Sequence, residues 1–213
     1  MKEFDNKFLT NKIKLIAGVD EAGRGPLAGP VVSASVIFKS GFFIEGVNDS
    51  KVLSEKKREE LFPKIMDNAV SYSVSVVSHG MIDKINILQA SLLSMSIAVG
   101  RLKVLPHLIL IDGNKTFQSE IKTIPIVDGD AKSFCIAAAS IVAKVTRDRI
   151  MKRLSAYYPE YLWHKNKGYA TREHIKAIHS FGPSPLHRTT FLRKILSTEF
   201  EPAFEYEMEK PEI

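Results

Sequence analysis

The chain has 213 residues, 45% apolar and 25% charged, which is somewhat more than one ordinary domain and excludes disorder, collagen-like repeats and a disulfide scaffold. Its formal net charge of +6 is unevenly spread: residues 1–130 carry 16 basic and 15 acidic side chains, residues 131–198 carry 13 and 3, and residues 199–213 carry 1 and 6. A basic sector beside an acidic tail points to a polyanionic partner.

Taken in chain order, residues 1–14 are too polar for a signal-peptide core, and no stretch reaches the roughly eighteen apolar residues of a membrane span. Strands are expected at about residues 14–20, 31–38, 71–78, 108–112 and 123–127. Leu108-Ile109-Leu110-Ile111 is apolar throughout and belongs in the middle of a covered sheet, whereas Ser71 to Val76 alternates and should keep one polar face. Ser54 opens a helix to about residue 69. Asn86 begins another, with Leu88, Leu92, Met95, Val99 and Leu102 at helical spacing. A third is expected over residues 131–156, with Phe134, Ala138, Ile141 and Val145 on one side and the single Cys135 as a buried thiol. With no disulfide possible within the chain, a reducing, cytoplasmic setting is expected. Thr171 caps a helix to about residue 180, Gly182-Pro183-Ser184-Pro185 breaks the chain, and residues 188–196 form a last helix. The pattern is that of a mixed α/β sheet flanked by helices. Residues 1–198 are read as a single domain with a helical C-terminal region at about 157–198, and residues 199–213 as an acidic extension.

Acidic residues fall where apolar strands stop: Asp20 and Glu21 end the first strand, Asp112 ends the fourth, and Asp128 and Asp130 follow the fifth. Any one of them could simply cap a helix or make a turn. Three strands each delivering an acid suggest instead a crevice at the sheet's edge. Clustered carboxylates repel one another and call for cations. Oxygen-only ligands select Mg²⁺ or Mn²⁺, and a pair of such ions suits phosphodiester displacement. Neighbours on a regular strand point to opposite faces, so Asp20 and Glu21 are expected to share a site only if the strand ends or bulges there.

Gly23-Arg24-Gly25-Pro26-Leu27-Ala28-Gly29-Pro30 could bring backbone amides and a forked donor to a phosphate, or could be a plain turn between strands. It fits neither a dinucleotide fingerprint nor a P-loop. His174 and His179, five apart, do not reproduce the zinc-protease helix, and Ser140, Ser180 and Ser184 lack a nucleophile-elbow context. Lys144, Arg147, Arg149, Lys152 and Arg153 crowd one helix, and residues 149–153 are read as a solvated face. Lys167-Gly168-Tyr169 could set an aromatic ring on a sugar or base, or the tyrosine could belong to the core.

Together, Gly18-Val19-Asp20-Glu21-Ala22-Gly23-Arg24-Gly25-Pro26, Asn48-Asp49-Ser50-Lys51, Ile111-Asp112-Gly113-Asn114, Gly129-Asp130, Ala139 to Asp148 and Lys167-Gly168-Tyr169 resemble the bacterial ribonuclease HII family, the type 2 ribonucleases H, over about residues 15–192. The resemblance implies a ribonuclease H-like fold, a five-stranded mixed sheet flanked by helices. It implies an acidic quartet at Asp20, Glu21, Asp112 and Asp130 that holds two Mg²⁺ or Mn²⁺ ions with substrate bound. It leaves Asp128 and Asp148 unassigned. Gly23, Arg24, Gly25 and Tyr169 would recognise the junction between ribonucleotide and DNA, while Lys51 and Lys144 would contact phosphate or support the site. The implied activity is endonucleolytic hydrolysis of RNA in RNA–DNA hybrids and 5′ to single ribonucleotides embedded in duplex DNA, leaving 5′-phosphate and 3′-hydroxyl ends. Competing readings are another metal-dependent nuclease on this fold and a basic, non-catalytic nucleic-acid-binding module. A monomer without an obligate protein partner is expected. The acidic tail lacks a Gln-anchored sliding-clamp peptide, and could lie over the basic surface and compete with substrate.

Overall fold

The computed structural model describes residues 1–197; the expectations for the acidic extension lie outside the described residues. Five strands, β1 (Ile16–Ala22), β2 (Val31–Ile37), β3 (Ser71–Val77), β4 (Leu108–Asp112) and β5 (Thr123–Ile126), form one sheet in the order β3-β2-β1-β4-β5. β1, β2 and β3 pair antiparallel, and β1, β4 and β5 pair parallel. This is the five-stranded mixed sheet expected. The helices are α1 (Lys2–Asn6), α2 (Glu55–Asn68), α3 (His79–Gly100), α4 (Gly129–Lys132), α5 (Phe134–Leu154), α6 (Trp163–Asn166), α7 (Arg172–Phe181) and α8 (Thr189–Ser197), with a 3₁₀ turn at Pro159–Tyr161.

Alternation along the strands sends residues to two cores. Ala17, Val19 and Ile37 meet Met95, Val99 and Leu102 around α3. Ala34, Val36 and Phe38 meet α5 and the α2 residues Leu61 and Ile65. From Phe134 to Ala143 every residue of α5 is buried, the mark of a helix enclosed on all sides. A Cβ on Gly18 would lie 2.1 Å from the Cys135 carbonyl carbon, so only hydrogen lets β1 lie this close to the first turn of α5. A third core, including Leu27, Ala28, Met151, Trp163, Ile178 and Leu192, ties the β1–β2 turn to the C-terminal helices.

Three element boundaries differ from expectation. β1 does not stop at Asp20 but stays paired with β2 through Ala22. The helix expected from Asn86 is preceded by another segment, capped by Ser78, whose hydroxyl accepts the Met81 N–H. Asn86 breaks α3 (φ 65, ψ 165) and its side chain accepts the Gln89 N–H, capping the second segment. The helix expected over 131–156 is two, because Ser133 is extended (φ −104, ψ 129) and its hydroxyl caps α5 at Ile136. Among the described residues α3 is long and apolar enough to cross a membrane. It lies on the sheet instead, burying Ala90, Ser91, Ser94, Met95, Ala98 and Val99, and the Ser73 and Ser75 hydroxyls donate to the carbonyls of Ala98 and Ser94.

Gly18→Ala is expected to lower stability by about 3 kcal/mol or more through a backbone clash. Gly100→Ala, which meets nothing within 4 Å, should leave stability unchanged or raise it by about 0.5–1 kcal/mol. Urea unfolding of the pair checks both.

Candidate active site

β1 runs further than its neighbour. Its pairing with β4 ends at Val19↔Ile111, while that with β2 continues to Ala22↔Val32. The stretch of β1 left unpaired on that side faces Asp112 at the end of β4 and Asp130 in the first turn of α4. Asp20, Asp112 and Asp130 bring carboxylate oxygens within 4.8 Å of one another. Glu21 stays outside that trio, because alternation sends it to the other side of β1. It lines the same cleft, together with Gly23, Arg24, Gly25, Lys51, Lys144 and Tyr169. The strand neither ends nor bulges at Asp20; both acids reach the cleft because β4 stops short.

The acids are held in place by specific partners. Asp20 accepts the Glu21 N–H at 2.7 Å and a hydrogen bond from Ser140, whose hydroxyl is 2.7 Å from that of Ser50. Asp112 accepts the N–H groups of Gly129 (2.8 Å) and Asp130 (3.4 Å). A Cβ on Gly129 would sit 2.7 Å from Ile136 and 3.1 Å from the Asp112 carboxylate, so glycine lets the chain close on that acid. Lys51 Nζ lies 2.8 Å from Asp130 Oδ2; partial desolvation of the ammonium at that contact works against its charge, and the Asp130 hydrogen bond outweighs it and raises its pKa.

Burial, then Glu21 and Asp112, drives the Asp20 pKa well above the usual carboxylate range. Burial pushes Glu21 up to about 7, opposed by Arg24 and reinforced by Asp112. Asp112 is raised by burial and by Asp130. Such a cluster binds either protons or cations. Oxygen donors converging from three elements, with no nitrogen or sulfur ligand among them, suit a hard divalent ion such as Mg²⁺ or Mn²⁺.

The opposite wall of the cleft carries Arg24, Lys144 and Tyr169 on or beside the Gly23–Gly25 turn. Arg24 is exposed, with Nη1 3.5 Å from Glu21. Gly23 has φ 104, and a Cβ there would meet Arg147 Nε at 2.2 Å. Tyr169 is not a core residue: it is 39% exposed, with Lys144 Nζ 5.6 Å and the Arg147 guanidinium 5.8 Å from the centre of its ring. Lys144 donates to buried Asp148 at 2.7 Å, so Asp148 fixes a cation at the cleft rather than joining the acids. Asp128, 76% exposed, is outside the cluster. His174 and His187 are buried. Trp163 Nε1 donates to His174 Nε2, which leaves Nδ1 to donate to the Tyr169 carbonyl.

Residues 149–153 are not simply solvated: Arg149 pairs with Glu59 at 2.5 Å, and Lys152 with Glu55. Arg147 and Arg188 are wholly buried and had no assigned part in the sequence reading. The spacing of Ala143, Arg147 and Met151 on the buried side of α5 was the available signal for the first.

The family profile described as Ribonuclease HII matches residues 17–194. A Ribonuclease HII from Rickettsia akari is 54% identical over 177 residues, 83% of this chain and 91% of that protein. One from Acetivibrio thermocellus is 52% identical over 86% of this chain and 72% of its own length. The crystal structure of the ribonuclease H2 from Pyrococcus horikoshii OT3 superposes with a TM-score of 0.70 at 32% identity, covering 85% of this chain and 96% of that one.

A carboxyl whose folded pKa is raised supports the fold below its unfolded pKa and withdraws that support as pH climbs through the folded value, here near 7 for Glu21. Asp112→Asn, which keeps an acceptor for Gly129, is therefore expected to raise the metal-free melting temperature. Each kcal/mol relieved corresponds to about 2–4 °C, and the gain should be larger at about pH 7.5 than at about pH 5. Mg²⁺ should raise the melting temperature of the parent more than that of the variant. Scanning calorimetry with and without chelator measures all three.

Proposed function

The chain belongs to the ribonuclease HII family, which cleaves the RNA of RNA–DNA hybrids, and from that premise we propose that it hydrolyses the phosphodiester 5′ to a ribonucleotide in a DNA-paired strand, single embedded ribonucleotides included. The products are a 3′-hydroxyl and a 5′-phosphate. The observation that carries this reading is the convergence of Asp20, Asp112 and Asp130, with Glu21, on a cleft whose other wall presents Arg24, exposed glycine backbone and a half-exposed tyrosine ring.

Asp20, Glu21, Asp112 and Asp130 hold the divalent ions, Mg²⁺ or Mn²⁺. Those ions, when bound, supply activation of water and stabilisation of the departing 3′-oxygen. Arg24 and the amides of the Gly23–Gly25 turn hold the nucleic-acid backbone. Tyr169 packs on the deoxyribose that follows the ribonucleotide, and the 2′-hydroxyl distinguishes RNA from DNA at the cut. Lys51 keeps Asp130 aimed at the cleft, and Lys144, steadied by Asp148, faces phosphate. Residues 1–198 act as one catalytic unit, a cytoplasmic monomer with no obligate partner.

A duplex with one embedded ribonucleotide should be cut in Mg²⁺ or Mn²⁺, and its all-deoxy counterpart left intact; equal cutting of both would contradict the substrate assignment. Tyr169→Ala should reduce discrimination at the RNA–DNA junction by about tenfold or more while leaving the melting temperature nearly unchanged. Equal loss on every substrate with a lowered melting temperature would make the tyrosine a packing residue.

A further inference from the structure

The Gly23–Pro30 turn rests on two guanidinium groups that give all their hydrogen bonds to backbone carbonyls. Arg188 donates from Nη2 to Gly23 O (2.6 Å) and Pro30 O (3.3 Å), from Nη1 to Arg24 O (2.9 Å), and from Nε to Gly29 O (3.0 Å). Arg147 donates to Pro30 O (2.9 Å), Ala28 O (3.1 Å) and Lys167 O (2.9 Å). Both are 0% exposed. The strand-like segment bearing Arg188 is itself strapped to the turn, because Arg188 N–H donates to Leu27 O and Gly29 N–H donates to Leu186 O.

The direction of these bonds has a consequence on the other side of the turn. The Gly23 carbonyl shares one planar peptide unit with the Arg24 N–H, and the Arg24 carbonyl shares the next with the Gly25 N–H; no peptide bond among the described residues is cis. In a trans unit the C=O and N–H point in opposite directions. Aiming both carbonyls inward at Arg188 therefore aims the N–H groups of Arg24 and Gly25 outward, on the exposed side of the turn that lines the cleft. Among the described residues neither N–H has an acceptor in the chain. The buried charge also polarises the same peptide units, strengthening the outward donors.

We propose that Arg188 is the positioning residue of the anion-binding turn. From beneath, it locks the peptide planes so that the adjacent Arg24 and Gly25 amides converge on one phosphate of the bound strand. This rests on the reading of the cleft as a nuclease site and goes beyond it by assigning a function to the C-terminal segment, 164 residues further along the chain. Arginine is required because four carbonyls at fixed angles need a planar fork of donors, which the three donors of a lysine ammonium cannot match.

Hybrids in which one phosphate at a time is a neutral methylphosphonate test the proposal in the parent and in Arg188→Lys, which keeps the charge and loses the fork. In the parent, one replacement beside the cut should cost about tenfold in kcat/KM, the scale of hydrogen bonds to a charged group. In Arg188→Lys the same replacement should cost less than about threefold, while replacements elsewhere cost the two proteins alike. A uniform loss on every substrate, with the parent's position-specific cost retained, would overturn the proposal. If Arg188→Lys does not fold, ¹⁵N-labelled parent decides. The amide signals of Arg24 and Gly25 should shift on binding an uncleavable all-deoxy version of the duplex and stay in place when the critical phosphate is neutral; signals that ignore that phosphate overturn it. Absence of cutting by the parent on the unmodified embedded ribonucleotide, with those shifts present, would reject the substrate assignment and leave the positioning intact.

Discussion

Asp20, Asp112 and Asp130 bring carboxylate oxygens within 4.8 Å of one another, where like charges repel, and the surrounding structure depends on holding them there against that repulsion. Each acid is tied to a different rigid element. Asp20 belongs to a strand that lies against α5 at a glycine with no room for a methyl group. Asp112 is gripped by the first amides of α4, and Asp130 by Lys51. The cost is offset elsewhere, chiefly by α5, whose first ten residues are buried on every side. This division sets a stabilising core behind a self-repelling rim that could hold a divalent cation.

The facing wall inverts the arrangement. There, positive charge is buried and backbone carbonyls compensate it: Arg147 and Arg188 lie under the turn that carries Arg24. Burial lowers the Arg188 pKa to about 9, with Arg147 adding to the shift, and burial lowers that of Arg147 as well. The basic sector of the sequence thus serves two purposes. Part of it, Arg149, Lys152 and Lys167, is matched by Glu55 and Glu59 of α2, which ties α5 and the residue after α6 to that helix. Arg147 and Arg188 shape the turn, and Arg24, Lys51 and Lys144 are left at the cleft. Net charge over a stretch of sequence therefore overstates the cationic surface left at the cleft.

Features written in short-range pattern were readable before the fold. The five strands followed from alternation and apolar runs, and the caps at Ser54 and Thr171 from their side chains, which accept from Lys57 and His174. The acids stood out because each follows the last apolar residue of a strand. What could not be read depends on contacts distant in sequence. Whether Asp20 and Glu21 share a cleft is decided by where β4 stops, not by anything in β1. Asn86 looked like a helix start and is one, but the segment before it carries Gly80 and a polar start that mask its helicity. The burial of Arg188 has no local mark in the sequence, since its carbonyl partners come from a turn near the other end of the chain.

The central claim is that Asp20, Asp112 and Asp130, with Glu21, can hold a divalent cation, and that burial first, then mutual repulsion, raises the pKa values of Asp20, Glu21 and Asp112. Calorimetric titration of Mn²⁺ at about pH 6.5, repeated in buffers of different ionisation enthalpy, tests it most directly by counting the protons displaced per ion. The parent should bind Mn²⁺ with release of protons, and Asp20→Asn should lose most of the affinity while melting at or above the parent's temperature. Binding without proton release, at equal affinity in the parent and in Asp20→Asn, would contradict it.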